Sequence, residues 1–198
     1  VGDGSAYPFE KGGARMPFFP TFPQDADTNT IFGLCRERYA GWFDFSERLM
    51  RGPSPLTPAE RELIAGYTSV LNACDFCFGT HTAIAIAFGL DESLLESLKG
   101  DIDRAEVPER MRPILRYVRK LTQTPSRLTQ ADADEVFAAG WDERALHDAI
   151  TVCARFNFMN RMVMGHGIVA EPEKFMERGR RKAEDGYRRT ADTETSKD

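Results

Sequence analysis

The sequence predicts an all-α protein. Three observations carry that prediction. Apolar residues recur at three- and four-residue steps through most of the chain, capping residues stand ahead of those runs, and no alternating apolar and polar segment is long enough for a strand. The 198 residues suit one domain with additions at both ends, and 41% hydrophobic with 29% charged residues is the composition of a water-soluble globular chain.

Residues 1–27 set Pro8, Pro17, Pro20 and Pro23 among Phe9, Phe18, Phe19 and Phe22, which excludes a helix and a central strand. An extended N-terminal arm is expected there, packed on its own core or crossing to another subunit. From Asn29 to Met50 the positions Ile31, Leu34, Cys35, Tyr39, Trp42, Phe43, Phe45 and Leu49 predict one amphipathic helix, ended by Gly52 and Pro53. Thr57-Pro58-Ala59-Glu60 reads as a capping box with proline in the first turn, opening a helix to about Asn72. A third helix is expected from about Cys74 to Phe88, with Gly89 as its C-terminal cap.

Asp91 caps a short helix to Leu98, and Pro108 precedes another through Ile114, Leu115, Val118 and Leu121 that Pro125 ends. Thr129 with Asp132 opens a helix to Ala139, closed by Gly140. Asp142 then opens a long one through Leu146, Ile150, Cys153, Phe156, Met159 and Val163, finished by Gly165 and Gly167. The phrases Leu56-Thr57 and Leu128-Thr129 each start a capped helix followed by another, so the bundle reads as built from helical hairpins. Beyond Pro172 a charged helical tail should reach about Arg189, its basic stretch Arg178–Lys182 forming a solvated face, with a disordered end. The expected division is therefore arm 1–27, helical domain 28–170 and tail 171–198.

Composition narrows the function. A net charge of −5 and a pI near 5.4 argue against nucleic acid as a partner. The longest apolar stretch, Thr82 to Leu90, is about half of what a membrane span needs. Cys35, Cys74, Cys77 and Cys153 are too few and too scattered for a secreted disulfide framework, and no export signal opens the chain, so a reducing, cytoplasmic setting is expected. Gly-rich phosphate loops and haem or flavin motifs are absent, so no bound cofactor is expected.

The distinctive segment is Cys74-Asp75-Phe76-Cys77-Phe78-Gly79-Thr80-His81. On a helix Cys74, Cys77 and His81 fall within an arc of roughly 60°, and the pair lies where free amides and the helix dipole stabilise a thiolate. Residues three apart have Cβ atoms about 5 to 6 Å apart, wider than a relaxed disulfide, so a bond between them would be reducible. Glu62, twelve residues before Cys74 and beside Leu63 and Ile64, is placed to relay protons with His81. Three readings compete: dithiol redox chemistry, a structural zinc site drawing on Glu62, Cys35 or Cys153 as a distant fourth ligand, and two buried core cysteines with a satisfied histidine. Redox chemistry is favoured, because no second cysteine pair or histidine pair completes a zinc site; a thioredoxin domain does not fit, because a capped helix precedes the motif where that fold has a strand. His147 reads as structural, His166 as serving a helix end, and Cys35 and Cys153 as core.

Glu62, eleven residues, Cys74-Asp75-Phe76-Cys77, three residues and His81 together resemble the signature of the AhpD-like alkylhydroperoxidases of the carboxymuconolactone decarboxylase superfamily, in particular their peroxidase-related branch. Phe156-Asn157-Phe158-Met159-Asn160-Arg161 resembles a later helix of that branch. The resemblance implies an AhpD-like helical bundle and a peroxidase that cycles between dithiol and disulfide. In it Cys77 forms the sulfenic acid, Cys74 is proton donor and resolving thiol, and Glu62 and His81 form the relay. It also implies a hydroperoxide substrate, an external dithiol or lipoyl-bearing reductant, and a homo-oligomer. The best-known members carry histidine where this chain has Phe76, so that relay position is empty here, and the sibling decarboxylases lack the cysteine pair. A disulfide reductase or redox adaptor without peroxide activity, and a zinc-structured module, stand as alternatives.

Overall fold

Side chains that bond otherwise free amides open most of the helices. In the computed structural model, which describes residues 16–187, Asp27 accepts from the Asn29 and Thr30 amides and opens α1 (Thr28–Gly33). After a 3-10 turn over Arg36–Tyr39 comes α2 (Trp42–Arg51). The Thr57–Glu60 capping box forms as expected, the Thr57 amide donating to Glu60 at 2.7 Å and the Glu60 amide to Thr57 at 3.2 Å, and it starts α3 (Pro58–Leu71). Then follow α4 (Asp75–Ala87), α5 (Glu92–Ser97), α6 (Arg112–Gln123), α7 (Gln130–Ala138), α8 (Glu143–Gly165) and α9 (Phe175–Asp185). Asp91 and Asp142 cap α5 and α8, and Thr129 with Asp132 boxes α7. Among the described residues there is no strand, and the all-α reading holds.

Helix α3 is the axis of the bundle. It packs on α4, α8 and α6, and every residue from Arg61 to Ser69 is buried, including both charged ones. Arg61 is satisfied there by donating to the backbone oxygens of Leu49 and Gly52 at 2.6 and 2.9 Å. A polar side chain so enclosed stands only with its bonds filled. The long α8 crosses α3 and α6, bringing Phe156 and Met159 into the core. Among the described residues no helix is long and apolar enough to cross a membrane.

Two expectations need correction, and one of two alternatives for the arm is met. The single helix over 29–50 is three pieces, because the periodicity runs through Gly33 and Gly41, where helix propensity is weak. Breaking there lets Phe32 gather Tyr39, Trp42 and Phe43, with ring centroids 4.7, 6.1 and 5.4 Å away, and leaves Cys35 half-buried between the pieces instead of on a helical core face. The stretch 178–182 is not simply a solvated face. Gly179 is buried against α4, Arg178 pairs with Glu171 at 2.6 Å, and only Arg180 and Arg181 are exposed. The described part of the arm, finally, lies on its own chain: the Phe18 amide donates to the His166 carbonyl at 3.0 Å, and Phe22 is buried. Phe9 and the chain end beyond residue 187 lie outside the described residues.

Candidate active site

The corner between α3 and α4 positions the cysteines. Asn72 closes α3, Ala73 turns the chain at φ 53°, and Cys74 is the N-cap of α4 with non-helical backbone, so α4 begins one residue later than predicted. The turn is clamped from α8, Asn72 donating to the Asn157 and Asn160 amide oxygens at 3.1 and 2.9 Å while Asn160 donates to Ser69 at 3.0 Å. All four cysteines are free. Cys74 and Cys77 are buried at the start of α4, where each thiol acts on the other and the Asn160 amide acts on both. The Cys77 thiol, together with its backbone amide, favours the thiolate of Cys74 and lowers that pKa. The same interaction, with burial, pushes the Cys77 thiol well up, which leaves Cys74 the more acidic of the two.

Glu62 and His81 meet as expected. Glu62 is fully buried on α3 and its Oε2 lies 2.6 Å from His81 Nδ1 on α4. Two residues not anticipated from the sequence hold the other oxygen: Arg51 donates to Oε1 at 2.8 Å and the Tyr187 hydroxyl at 2.9 Å. Burial alone would push the Glu62 carboxyl up, but His81 and Arg51 outweigh it and hold the pKa below the usual range. Burial pushes His81 down, offset only in part by Glu62. At neutral pH an ionised Glu62 thus accepts from the Nδ1–H of a neutral imidazole, leaving Nε2 as a proton acceptor. The imidazole meets the Phe156 ring edge to face, with centroids 4.2 Å apart, which fixes its plane.

A cavity of about 530 Å³ opens beside this array. Cys77 and His81 reach its wall and Cys74 does not; Phe32, Phe76, Phe156 and Met159 supply an apolar lining. Phe76 thus stands as a wall residue where a relay histidine would be. The four predicted site residues converge, and the site also includes Arg51, Arg155, Lys182 and Tyr187. Arg155 had a signal in the sequence, a lone charge between Cys153 and Phe156 on an apolar helix face. The pairing of Tyr187 with Glu62 had none, because 125 residues separate them. His147 is exposed and His166 is the C-cap of α8, its Nδ1 2.7 Å from the Met162 carbonyl oxygen. Cys153 is fully buried, and burial raises its pKa. Among the described residues no three His, Cys, Asp or Glu side chains gather as metal ligands would.

Comparison with known proteins places this architecture. Residues 36–98 match the carboxymuconolactone decarboxylase family. None of the curated proteins matches the sequence. Among solved structures the chain is similar to an uncharacterized peroxidase-related protein with an alkylhydroperoxidase AhpD core from Ralstonia eutropha JMP134, at 25% identity and a TM-score of 0.68 over 75% of this chain and 78% of that one. It is also similar to an uncharacterized peroxidase-related protein from Silicibacter sp. TM1040, at 26% identity and a TM-score of 0.63 over 76% of this chain and 90% of that one. The matched segment runs through Glu62, Cys74, Cys77 and His81, and with the shared helical architecture it supports an AhpD-like assignment within the carboxymuconolactone decarboxylase superfamily.

Proposed function

We propose that the protein is a thiol-dependent peroxidase that reduces organic hydroperoxides through Cys77 and Cys74. The observation that carries the reading is the placement of a buried thiol pair with only Cys77 on the cavity wall, which it shares with His81 of the buried Glu62–His81 pair. AhpD-like membership supports the same general activity.

In this reading Cys77 passes its proton to the neighbouring Cys74 thiolate as its sulfur attacks the terminal peroxide oxygen. The S–O bond forms while O–O breaks, leaving a sulfenic acid on Cys77 and an alkoxide that takes the proton back from Cys74 and departs as the alcohol. The Cys74 thiolate then attacks the Cys77 sulfur. Hydroxide leaves as water on taking a solvent proton that His81 Nε2 picks up at the cavity wall and hands on, the Glu62 carboxylate holding the transient imidazolium, and the disulfide closes. An external dithiol supplies two electrons and two protons to restore both thiols, becoming a disulfide itself.

The test uses reduced protein and cumene hydroperoxide. A dimedone adduct on Cys77 in Cys74→Ser, and one alcohol released per Cys74–Cys77 disulfide in the unmodified chain, are expected. Consumption of a disulfide substrate with no sulfenic acid and no peroxide-driven disulfide would replace this reading with a dithiol-disulfide reductase.

A further inference from the structure

Arg155, on α8, is a buried cation that forms no ion pair among the described residues, although the Glu62 carboxylate and the Cys77 sulfur act on it electrostatically. It is 7% exposed, its Nε donates to Ser46 Oγ at 3.1 Å, and its NH1 nitrogen is enclosed with no hydrogen-bond partner among the described residues. Three rings hold the guanidinium in place: its central carbon lies 4.5 Å from the centroid of Phe156, 4.8 Å from Tyr187 and 5.3 Å from Trp42. Arg155 also lines the cavity. Lys182 of α9, also on the cavity wall, has its ammonium 5.1 Å from the same Tyr187 centroid, which Arg51 approaches at 4.9 Å. Burial lowers the Lys182 pKa and Arg155 pushes it the same way, offset in part by Glu62 and Asp27.

The acids on hand are committed elsewhere. Glu62 is engaged by Arg51, His81 and Tyr187 and does not reach the cavity wall. Asp27 is spent on the first amides of α1, and Asp185 is exposed at the rim. Arg51 also keeps unpaired nitrogens, but it faces Glu62 and not the cavity. Enclosed charges in proteins are paired, and a planar guanidinium with a free edge matches a carboxylate. The apolar lining beside it suits a hydrocarbon body.

Resting on the peroxidase reading, we infer that the substrate is an organic hydroperoxide bearing a carboxylate, the carboxylate paired with Arg155 and Lys182 and the peroxide turned toward Cys77. The covalent step is the one given above; the carboxylate is a handle and does not react.

The probes are cumene hydroperoxide carrying a para-carboxylate and the methyl ester of the same compound, which share one O–O bond and differ in charge. Rates of Cys77 oxidation at limiting peroxide are expected to favour the acid by at least about tenfold. That ratio should fall to within about twofold of unity in Arg155→Gln and in the less buried Lys182→Gln, and recover in part in Arg155→Lys. Equal rates for acid and ester in the unmodified protein, a comparison that needs no variant, overturn the inference. So does a uniform fall for both compounds in Arg155→Gln, which would assign the guanidinium to the thiolate. If neither compound oxidises Cys77, the peroxidase reading fails, and calorimetry of unreactive 4-isopropylbenzoate with the reduced protein then decides the anion site alone. Binding that is at least about tenfold tighter than for its neutral amide, and lost in Arg155→Gln, supports the site; equal or absent binding ends it.

Discussion

Glu62 accepts from three side chains on three different segments, and the two carboxylate oxygens are used differently. Oε2 orients the imidazole, whereas Oε1 is anchored by Arg51 and Tyr187. Loss of the carboxylate charge in Glu62→Gln, or of the imidazole in His81→Ala, should slow peroxide turnover by about 10² to 10⁴-fold with the helical fold retained. Tyr187→Phe removes one neutral donor from the anchored oxygen and should cost far less, about 3- to 10-fold, comparable to one hydrogen bond. Its distinguishing mark is the pH profile. Without the hydroxyl the carboxyl is less well held in its charged form, so the acid limb of the turnover curve should move to higher pH, whereas a change that merely loosened packing would scale the curve without shifting it. His147→Ala, at an exposed position, should leave turnover unchanged.

Between elements, the contact that assembles the site is α4 against α9. Gly179 lies so close to α4 that a Cβ there would sit 2.6 Å from the Ala83 carbonyl carbon and 2.9 Å from its oxygen, backbone atoms that cannot move aside. At the other end of the same contact Gly79 leaves room for the Phe175 ring. These two absent side chains let α9 approach, and its approach delivers Lys182 to the cavity and Tyr187 to Glu62. Gly179→Val should therefore undock α9. A stability loss of about 1 to 3 kcal/mol, cleavage in the 171–187 region under limited proteolysis, and a turnover defect at least as large as that of Tyr187→Phe are expected. Equal protease resistance in variant and parent would show that α9 does not depend on this contact. Most helix starts were legible without the structure, since Thr57 with Glu60 and Thr129 with Asp132 act over three residues. The breaks at Gly33 and Gly41 were not, because nothing local says whether a weak helix position will bend or be carried through; the ring cluster around Phe32 decides it.

At the level of the whole molecule the buried ionisable groups set the pH range of stability. The pKa of His81 is depressed from an ordinary 6.5 and that of Glu62 from 4.5, so what they contribute is present above those values and lost as pH falls through the depressed ones. Cys74, lowered from 9.0, works in the same direction. Cys77 and Tyr187 are raised above 9.0 and 10.0, so their contribution is full below those values and lost as pH rises through the elevated ones. Melting temperature should thus be highest between pH 6.5 and 9.0 and fall on both sides. The acid limb should flatten in Glu62→Gln. An unchanged acid limb in that variant would mean that other carboxylates govern it, though many of those with lowered pKa, such as Asp91, Glu109 and Glu171, are solvent-screened.

By itself the sequence determined what depends on near neighbours. The all-helical class follows from periodicity, most helix starts follow from caps that reach three residues, and the convergence of Cys74, Cys77 and His81 follows from one helical turn and its start, with Glu62 one helix back on a buried stretch. Tertiary structure alone decided what depends on distant ones. Arg51 and Tyr187 share one carboxylate oxygen although they lie 11 and 125 residues from Glu62, the charged C-terminal segment became a wall of the cavity, and Arg155 was enclosed among rings from α2, α8 and the turn after α9. Spacing along a helix is set by bond geometry and is written residue by residue, whereas which buried charge faces which is settled only when whole helices pack and every enclosed polar group must find a partner.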